Sequence, residues 1–313
     1  MDNNEDLPAS QQLSKNETIE HALSKDYSFQ FNVVKCRSEF KKKTEDSEFQ
    51  IINKYHINSL WRELYRNKIN TSPEVINSIL SSSFSPEVDP ICQYFLSLEP
   101  KQNGAIEALA KTVIVTNPIF WQPYLTRWLV GVAANALANS LCLNHLCLTV
   151  TGPQGLQKSK FLDHLCPKKL KAYIFSGKID VNSKDTLSLI AENLFINIDD
   201  QLTKLNKNDE NSLKTLITLP SVSYRKPYSV FVDNYAHKAS FMASVNGINF
   251  LTEDASGSRR FIAFEAKSID FVEVQKINMD DVFSEVMYLY NSGFRYWFNS
   301  DEIDELNYAT PQC

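Results

Sequence analysis

The chain is 313 residues long, enough to bury a full core as one large domain or two. Its composition, 43% hydrophobic and 22% charged, is that of a globular protein, and no apolar stretch is long enough to span a bilayer, so a membrane partner is excluded. A net charge of −5 excludes a protein that coats nucleic acid by overall attraction, yet leaves room for a few cations in a narrow channel.

Residues 1–26 are rich in Asn, Asp, Ser, Glu and Gln, a composition that predicts a disordered or loosely ordered tail or a frayed helix. Residues 27–140 are expected to form a mainly helical N-terminal region. Within it, Phe29 to Phe40 alternates like a strand, and Ile57 to Lys68 has helical spacing around Leu60, Trp61 and Leu64. A short helix is expected at Ile91 to Leu98. The strongest helical signal is Gln122 to Ser140, where Leu125, Trp128, Leu129, Val132, Ala136 and Leu137 recur at three- and four-residue steps, as core packing requires. Residues 141–270 carry the chemistry, and 271–313 form a C-terminal helical segment whose aromatic-rich stretch, Asp281 to Phe298, reads as a closing helix. The six cysteines form no CxxC pair and no secretory signal opens the chain, which together predict free thiols and a cytoplasmic location.

Cys142 to Val150 reads as a buried strand and runs directly into Gly152, Pro153, Gln154, Gly155, Leu156, Gln157, Lys158 and Ser159, with a helix from Lys160 to Leu165. Strand, glycine-bearing loop and helix form the context of a phosphate-binding loop, in which backbone N–H groups and the helix N-terminus face phosphate oxygens. Lys158 is expected on the β- and γ-phosphates of ATP, and the Ser159 hydroxyl on Mg2+. Gln157 stands where that motif usually has glycine, so the loop either shifts or binds less tightly.

Leu194 to Asp200 is an apolar run ending in two carboxylates; Asp199 is expected in the Mg2+ shell and Asp200 on the attacking water. Ser240 to Asn246 is a further strand whose terminal Asn246 suits a water-orienting sensor, although a strand-end asparagine by itself is more often a turn former. Arg259 and Arg260 precede a strand at Phe261 to Phe264, where a pair of arginines is either solvated or serves as an arginine finger or γ-phosphate sensor. The ordered set of loop, acid pair, Asn and Arg pair predicts an α/β P-loop NTPase core.

With these residues in place the chain resembles the virulence-associated protein E family. The likeness runs from about Phe31 to Phe298 through Asn58 to Arg62, Arg127 to Gly131, Gly152 to Ser159, Leu213 to Thr218, Tyr224 to Tyr228, Phe250-Leu251 and Gly257 to Phe261. That family is similar to the superfamily-three helicases of the AAA+ class. The resemblance implies an ATP-driven ring of identical subunits acting on single-stranded or forked DNA during replication of a mobile element. It also implies a pore hairpin at Ser221 to Lys238, in which Arg225, Lys226, His237 and Lys238 meet DNA phosphates or the hairpin is structural only; Arg225 equally suits a neighbouring subunit's nucleotide. Gln157 and Asp200 keep a second reading open, a nucleotide-gated assembly module with weak or no hydrolysis. A small-molecule phosphotransferase fits the order of motifs less well.

Overall fold

The computed structural model describes residues 13–44, 48–138, 141–225, 231–247 and 260–309, with side chains described to 306. The chain divides into two compact units, Met1–Asp89 and Pro90–Cys313.

In the first unit α1 spans Lys15–Asp26, β1 Tyr27–Asn32, β2 Arg37–Lys42, β3 Gln50–Ile51, α2 Lys54–Arg66, α3 Pro73–Leu80 and β4 Glu87–Val88. The expected loose tail therefore needs correction over its second half. Ser14 Oγ accepts from Glu17 N at 3.3 Å while Glu17 Oε2 accepts from Ser14 N at 2.7 Å, a reciprocal cap that starts α1. Ile19 and Leu23 then anchor the helix in a core with Phe29, Ile57, Leu60, Leu64, Ile76, Ile79 and Leu80. The single strand predicted at Phe29 to Phe40 is two, β1 and β2, paired antiparallel from Tyr27↔Lys42 to Asn32↔Arg37 around a turn with Cys36 at φ 46°. The sheet order is β3-β2-β1-β4. This unit is thus helical, as expected, but also carries its own sheet.

The second unit starts with α4 Pro90–Ser97, α5 Ala105–Lys111, β5 Val113–Val115 and α6 Pro118–Leu137. It continues with β6 Cys147–Gly152, α7 Lys158–His164, β7 Ile174–Gly177, α8 Lys184–Glu192, β8 Phe195–Asp199, α9 Lys207–Thr218, β9 Ser221–Tyr224 and β10 Asp233–Ala236. It closes with β11 Ser240–Asn246, β12 Phe261–Ile269, α10 Phe271–Lys276, α11 Met279–Asn291 and α12 Ser300–Ala309. Its sheet has the order β5-β12-β6-β11-β8-β7. All neighbours run parallel except β5, which is antiparallel to β12. Parallel strands covered on both faces read as continuous apolar runs, and β6 is buried at every position. The mixed α/β class is as predicted.

The boundary expected at 140/141 is displaced to 89/90, because α6 packs on the sheet that follows it. Trp128 stacks on Phe195 at 6.0 Å between ring centroids and donates its indole N–H to Leu146 O at 3.1 Å. Trp121 meets Phe264 edge-on at 5.0 Å. The predicted strand from Cys142 begins only at Cys147, since the preceding residues satisfy their polar groups outside the ladder. Asn135 Oδ1 accepts from Leu143 N at 2.8 Å, and Asn144 Nδ2 donates to Ser240 Oγ at 3.1 Å. The closing helix stops at Asn291 because Gly293, at φ 76°, turns the chain out of it. Tyr296, Trp297 and Phe298 follow outside any helix or strand, and Phe298 packs on Tyr124 at 4.8 Å.

Cys36, Cys92, Cys142, Cys147 and Cys166 are free thiols. Among the described residues no helix is long and apolar enough to cross a membrane.

Trp128 is 1% exposed. Trp128→Ala should cost about 3–5 kcal/mol through lost burial and a residual cavity, read as a lower urea midpoint; an unchanged midpoint would show that α6 is not part of this core.

Candidate functional site

The ends of three adjacent parallel strands, β6, β11 and β8, lie at one edge of the sheet, and the loop 152–157 leaves from the central part of that edge into α7. Open α/β sheets bind ligands at the carboxyl ends of their strands. Here a cleft of about 430 Å³ is lined by Gln154, Gly155, Gln157, Lys158, Ser159, Lys160, Asp199, Asp200, Ser244 and Asn246.

The loop has the backbone that its sequence demands, with one strained member. Gly152 sits at φ 135°, and a Cβ there would lie 2.6 Å from Ala266 O, so no other residue fits. Gln157 occupies the left-handed region at φ 60° and ψ 30°, immediately before α7. That conformation costs an L-residue about 1–2 kcal/mol, and the exposed glutamine side chain, which lines the cleft, accepts from Lys160 Nζ at 3.4 Å.

Lys158 is 6% exposed and donates from Nζ to Gly152 O at 2.9 Å, Pro153 O at 2.8 Å and Asn246 Oδ1 at 3.0 Å. Burial pulls its pKa below the usual lysine value, opposed by the charges of Asp200 and Asp199. Ser159 Oγ donates to Asp199 Oδ1 at 2.6 Å, and Ser244 Oγ donates to the same oxygen at 2.5 Å. These hydroxyls, Ser159 first, hold the Asp199 carboxyl below the ordinary aspartate range. Asp200, half-buried at φ 46°, donates its N–H to Ser244 O at 3.0 Å and turns toward the same cleft.

Eight of the expected residues, Gln154, Gly155, Gln157, Lys158, Ser159, Asp199, Asp200 and Asn246, thus line one cleft, while Gly152 and Pro153 reach it through the carbonyls that hold Lys158. Ser244 was missed, although strand periodicity could have found it, for it lies two residues before Asn246 and so on the same face of β11. Asn197 was missed for the same reason on β8. It is fully buried and donates from Nδ2 to Asp163 Oδ1 at 2.8 Å and Ser159 O at 3.4 Å, tying α7 to the sheet.

Other expected residues lie elsewhere. Arg260 precedes β12, and Phe261 is level with Cys147 at the start of β6, five residues and roughly 17 Å from the loop at about 3.3 Å per residue. It lines a separate pocket of about 100 Å³ with His145, Tyr296 and Trp297, so a γ-phosphate sensor within its own subunit is ruled out by position. Arg259 and Lys226 lie outside the described residues.

The expected hairpin is present as β9 and β10, in register from Asp233↔Tyr224 to Ala236↔Ser221. Arg225 is exposed at the end of β9. His237 and Lys238 are not on its surface, and their assignment to DNA phosphates is corrected. They are 1% and 5% exposed, because the chain dives under α6 to start β11. Asn135 Nδ2 donates to His237 O, Lys238 O and Ala239 O at 3.1, 3.2 and 3.3 Å and holds this turn against α6. Lys238 Nζ donates to Ala136 O at 2.8 Å, closing the carbonyl end of α6. His237 Nδ1 bonds Leu219 O at 2.7 Å, and burial pushes its pKa down to about 4.

The sequence matches the family model described as the virulence-associated protein E-like domain over residues 97–312. Among solved structures it is similar to "The apo structure of NrS-1 C terminal region (305-718)", at 13% identity over 96% of this chain and 76% of that one, with a TM-score of 0.58. "The A form apo structure of NrS-1 C terminal region-CTR" matches at the same identity and coverage with a TM-score of 0.56. Likeness at this identity speaks to the fold alone. No curated protein matches the sequence.

Two predictions follow from this geometry. Gln157→Gly should raise stability by about 0.5–1 kcal/mol, the relieved strain exceeding glycine's added chain entropy; a fall in the denaturation midpoint would refute the strain. His237 is neutral when buried, so its folded pKa lies below the unfolded value near 6.5. Its contribution is complete above about pH 6.5 and is lost as pH falls toward 4, an effect of about 3 kcal/mol. Denaturant melts at both ends of that window should show a shallower pH slope for His237→Gln than for the parent.

Proposed function

The chain belongs to the virulence-associated protein E-like family, and on that premise we propose that its cleft binds ATP with Mg2+ and hydrolyses it, in a ring of identical subunits acting on DNA. The carrying observation is the convergence of Ser159 and Ser244 on one Asp199 oxygen, beside the buried ammonium of Lys158 and beneath the loop. The residues fit the metal. Mg2+ prefers hard oxygen ligands in small number, completed by phosphate and water. Ser159 and Asp199 would hold it, and among the described residues no cluster of three or more His, Cys, Asp or Glu side chains is placed to do so alone. Bound there, it would neutralise charge on the β- and γ-phosphates.

The protein's own groups divide the remaining work. Amides of the loop 152–157 and the start of α7 offer donors to the phosphates. Lys158 would exchange its carbonyl partners Gly152 O and Pro153 O for phosphate oxygens. Asp200 and Asn246 line the cleft where an attacking water would be oriented. Arg260 could reach a phosphate only in another copy of the chain, which agrees with ring assembly. Arg225 at the hairpin is the described cation that suits DNA there, and the family resemblance supports a role in replication of a mobile element.

One observation favours the alternative of a nucleotide-gated assembly module with weak hydrolysis. Lys158 is already satisfied by three acceptors, so ATP must displace an existing network. Phosphate release measured with and without single-stranded DNA separates the two readings. Turnover stimulated by DNA and reduced at least about a hundredfold in Lys158→Ala supports the motor. Tight ATP binding without release supports the module, and turnover undiminished in Lys158→Ala removes the site altogether.

A further inference from the structure

Helix α2 lies in the first unit, outside the residues matched by the family model. Its Ile57, Leu60 and Leu64 enter the core. At about 100° per residue, the outward side presents Lys54, Tyr65, Asn58, Arg62, Tyr55, Arg66 and Ser59 in angular order, and all are exposed. No carboxylate falls on this arc. The one acid of the helix, Glu63, stands to the side, half-buried, and accepts from the Tyr27 hydroxyl at 2.8 Å. Lys68 follows just beyond the helix as a further exposed cation.

This arrangement is unusual for a chain that carries 37 acidic residues against 32 Lys and Arg. None of the ion pairs between described residues engages Lys54, Arg62, Arg66 or Lys68. The two tyrosines are 76% and 66% exposed, where aromatic rings ordinarily enter the core. Each keeps one edge against a neighbour, Tyr55 on His56 at 5.8 Å and Tyr65 on Trp61 at 6.2 Å between centroids, which limits the freedom that stacking would cost. The helix from Lys54 to Arg66 rises about 18 Å, the span of a few nucleotides.

Cations that track a backbone, interleaved with ring faces that stack unpaired bases, are the chemistry of a single-strand platform. We infer that the outward face of α2 binds single-stranded nucleic acid, with Lys54, Arg62 and Arg66 on phosphates and Tyr55 and Tyr65 on bases. The inference goes beyond the ATP reading and does not depend on it, because no nucleotide is needed for this face to act.

The test uses the full chain without ATP and a fluorescent oligothymidine of about twenty nucleotides, longer than one such site, read by anisotropy across a salt series. The double variant Arg62→Gln/Arg66→Gln should weaken binding at least about tenfold at low salt and flatten the slope of log K against log salt by about 1.4, two phosphates at about 0.7 each. Tyr55→Ala/Tyr65→Ala should weaken single-strand binding by a similar factor, leave the salt slope alone and spare a duplex of equal length. An oligouridine arm distinguishes DNA from RNA as the source of the same chemistry. Parental affinity and slope in both double variants would overturn the proposal, as would a parent chain that binds no single strand. Loss confined to Arg225→Ala would assign the strand to the hairpin and overturn it too. Lys158→Ala should bind the strand like the parent, so failure of the ATP reading leaves this result distinct.

Discussion

A single carboxylate oxygen organises the cleft. Asp199 Oδ1 receives the hydroxyl of Ser159 from the first turn of α7 and that of Ser244 from β11, while its own backbone ends β8. Three elements that are far apart in the chain are thereby joined at one atom. The arrangement is available because β6, β11 and β8 are parallel neighbours, so their carboxyl ends must share an edge. It is also why the aspartate is held ionised, since both hydroxyls stabilise its charged form.

Around that atom the backbone is held in conformations that most residues avoid. Gln157 and Asp200 have φ of 60° and 46°, and Gly152 has no room for a Cβ. Such positions persist where the surroundings over-determine them, and they concentrate at binding sites. The surroundings here include Asn197, whose amide holds Asp163 and the first turn of α7 against β8 from below. Strain in the loop is thus carried by a buried polar tether, and Lys158 is left as the group with partners it can exchange.

The cations of this protein divide by what they touch. Lys238 spends its charge on the carbonyl end of α6, and Arg127 lies over the Phe298 ring at 3.8 Å with Glu302 Oε1 at 3.0 Å, fastening α12 to α6. Those groups serve the core. Among the described residues the arginines of α2 and the exposed Arg225 have no such employment, and a net acidic chain that keeps them in solvent does so against its overall balance. Sequence alone ranks all these residues alike, because Lys and Arg stems pack along apolar surface as readily as their heads reach water.

Local patterns carried most of what could be read beforehand. The strand–loop–helix around Lys158, the apolar run ending at Asp199 and Asp200 and the long helix through Trp128 all depend on spacing within a few residues and are legible for that reason, whereas the hairpin at Ser221 to Lys238 followed only from the family resemblance. What the linear order could not supply was depth and distance. His237 and Lys238 look like hairpin cations until the chain's turn beneath α6 buries them, and Arg260 follows the other motifs in order yet starts its strand at the opposite edge of the sheet. Ser244 and Asn197 matter only because two strands far apart in sequence lie side by side. Read alone, the amino acids settled the loop at 152–157 with its flanking strand and helix, the acid-bearing strand and the long helix, since backbone preference and apolar period act locally, but not the bounds of every element; strand order and register, which arise from packing across the whole second unit, decided which side chains share the cleft.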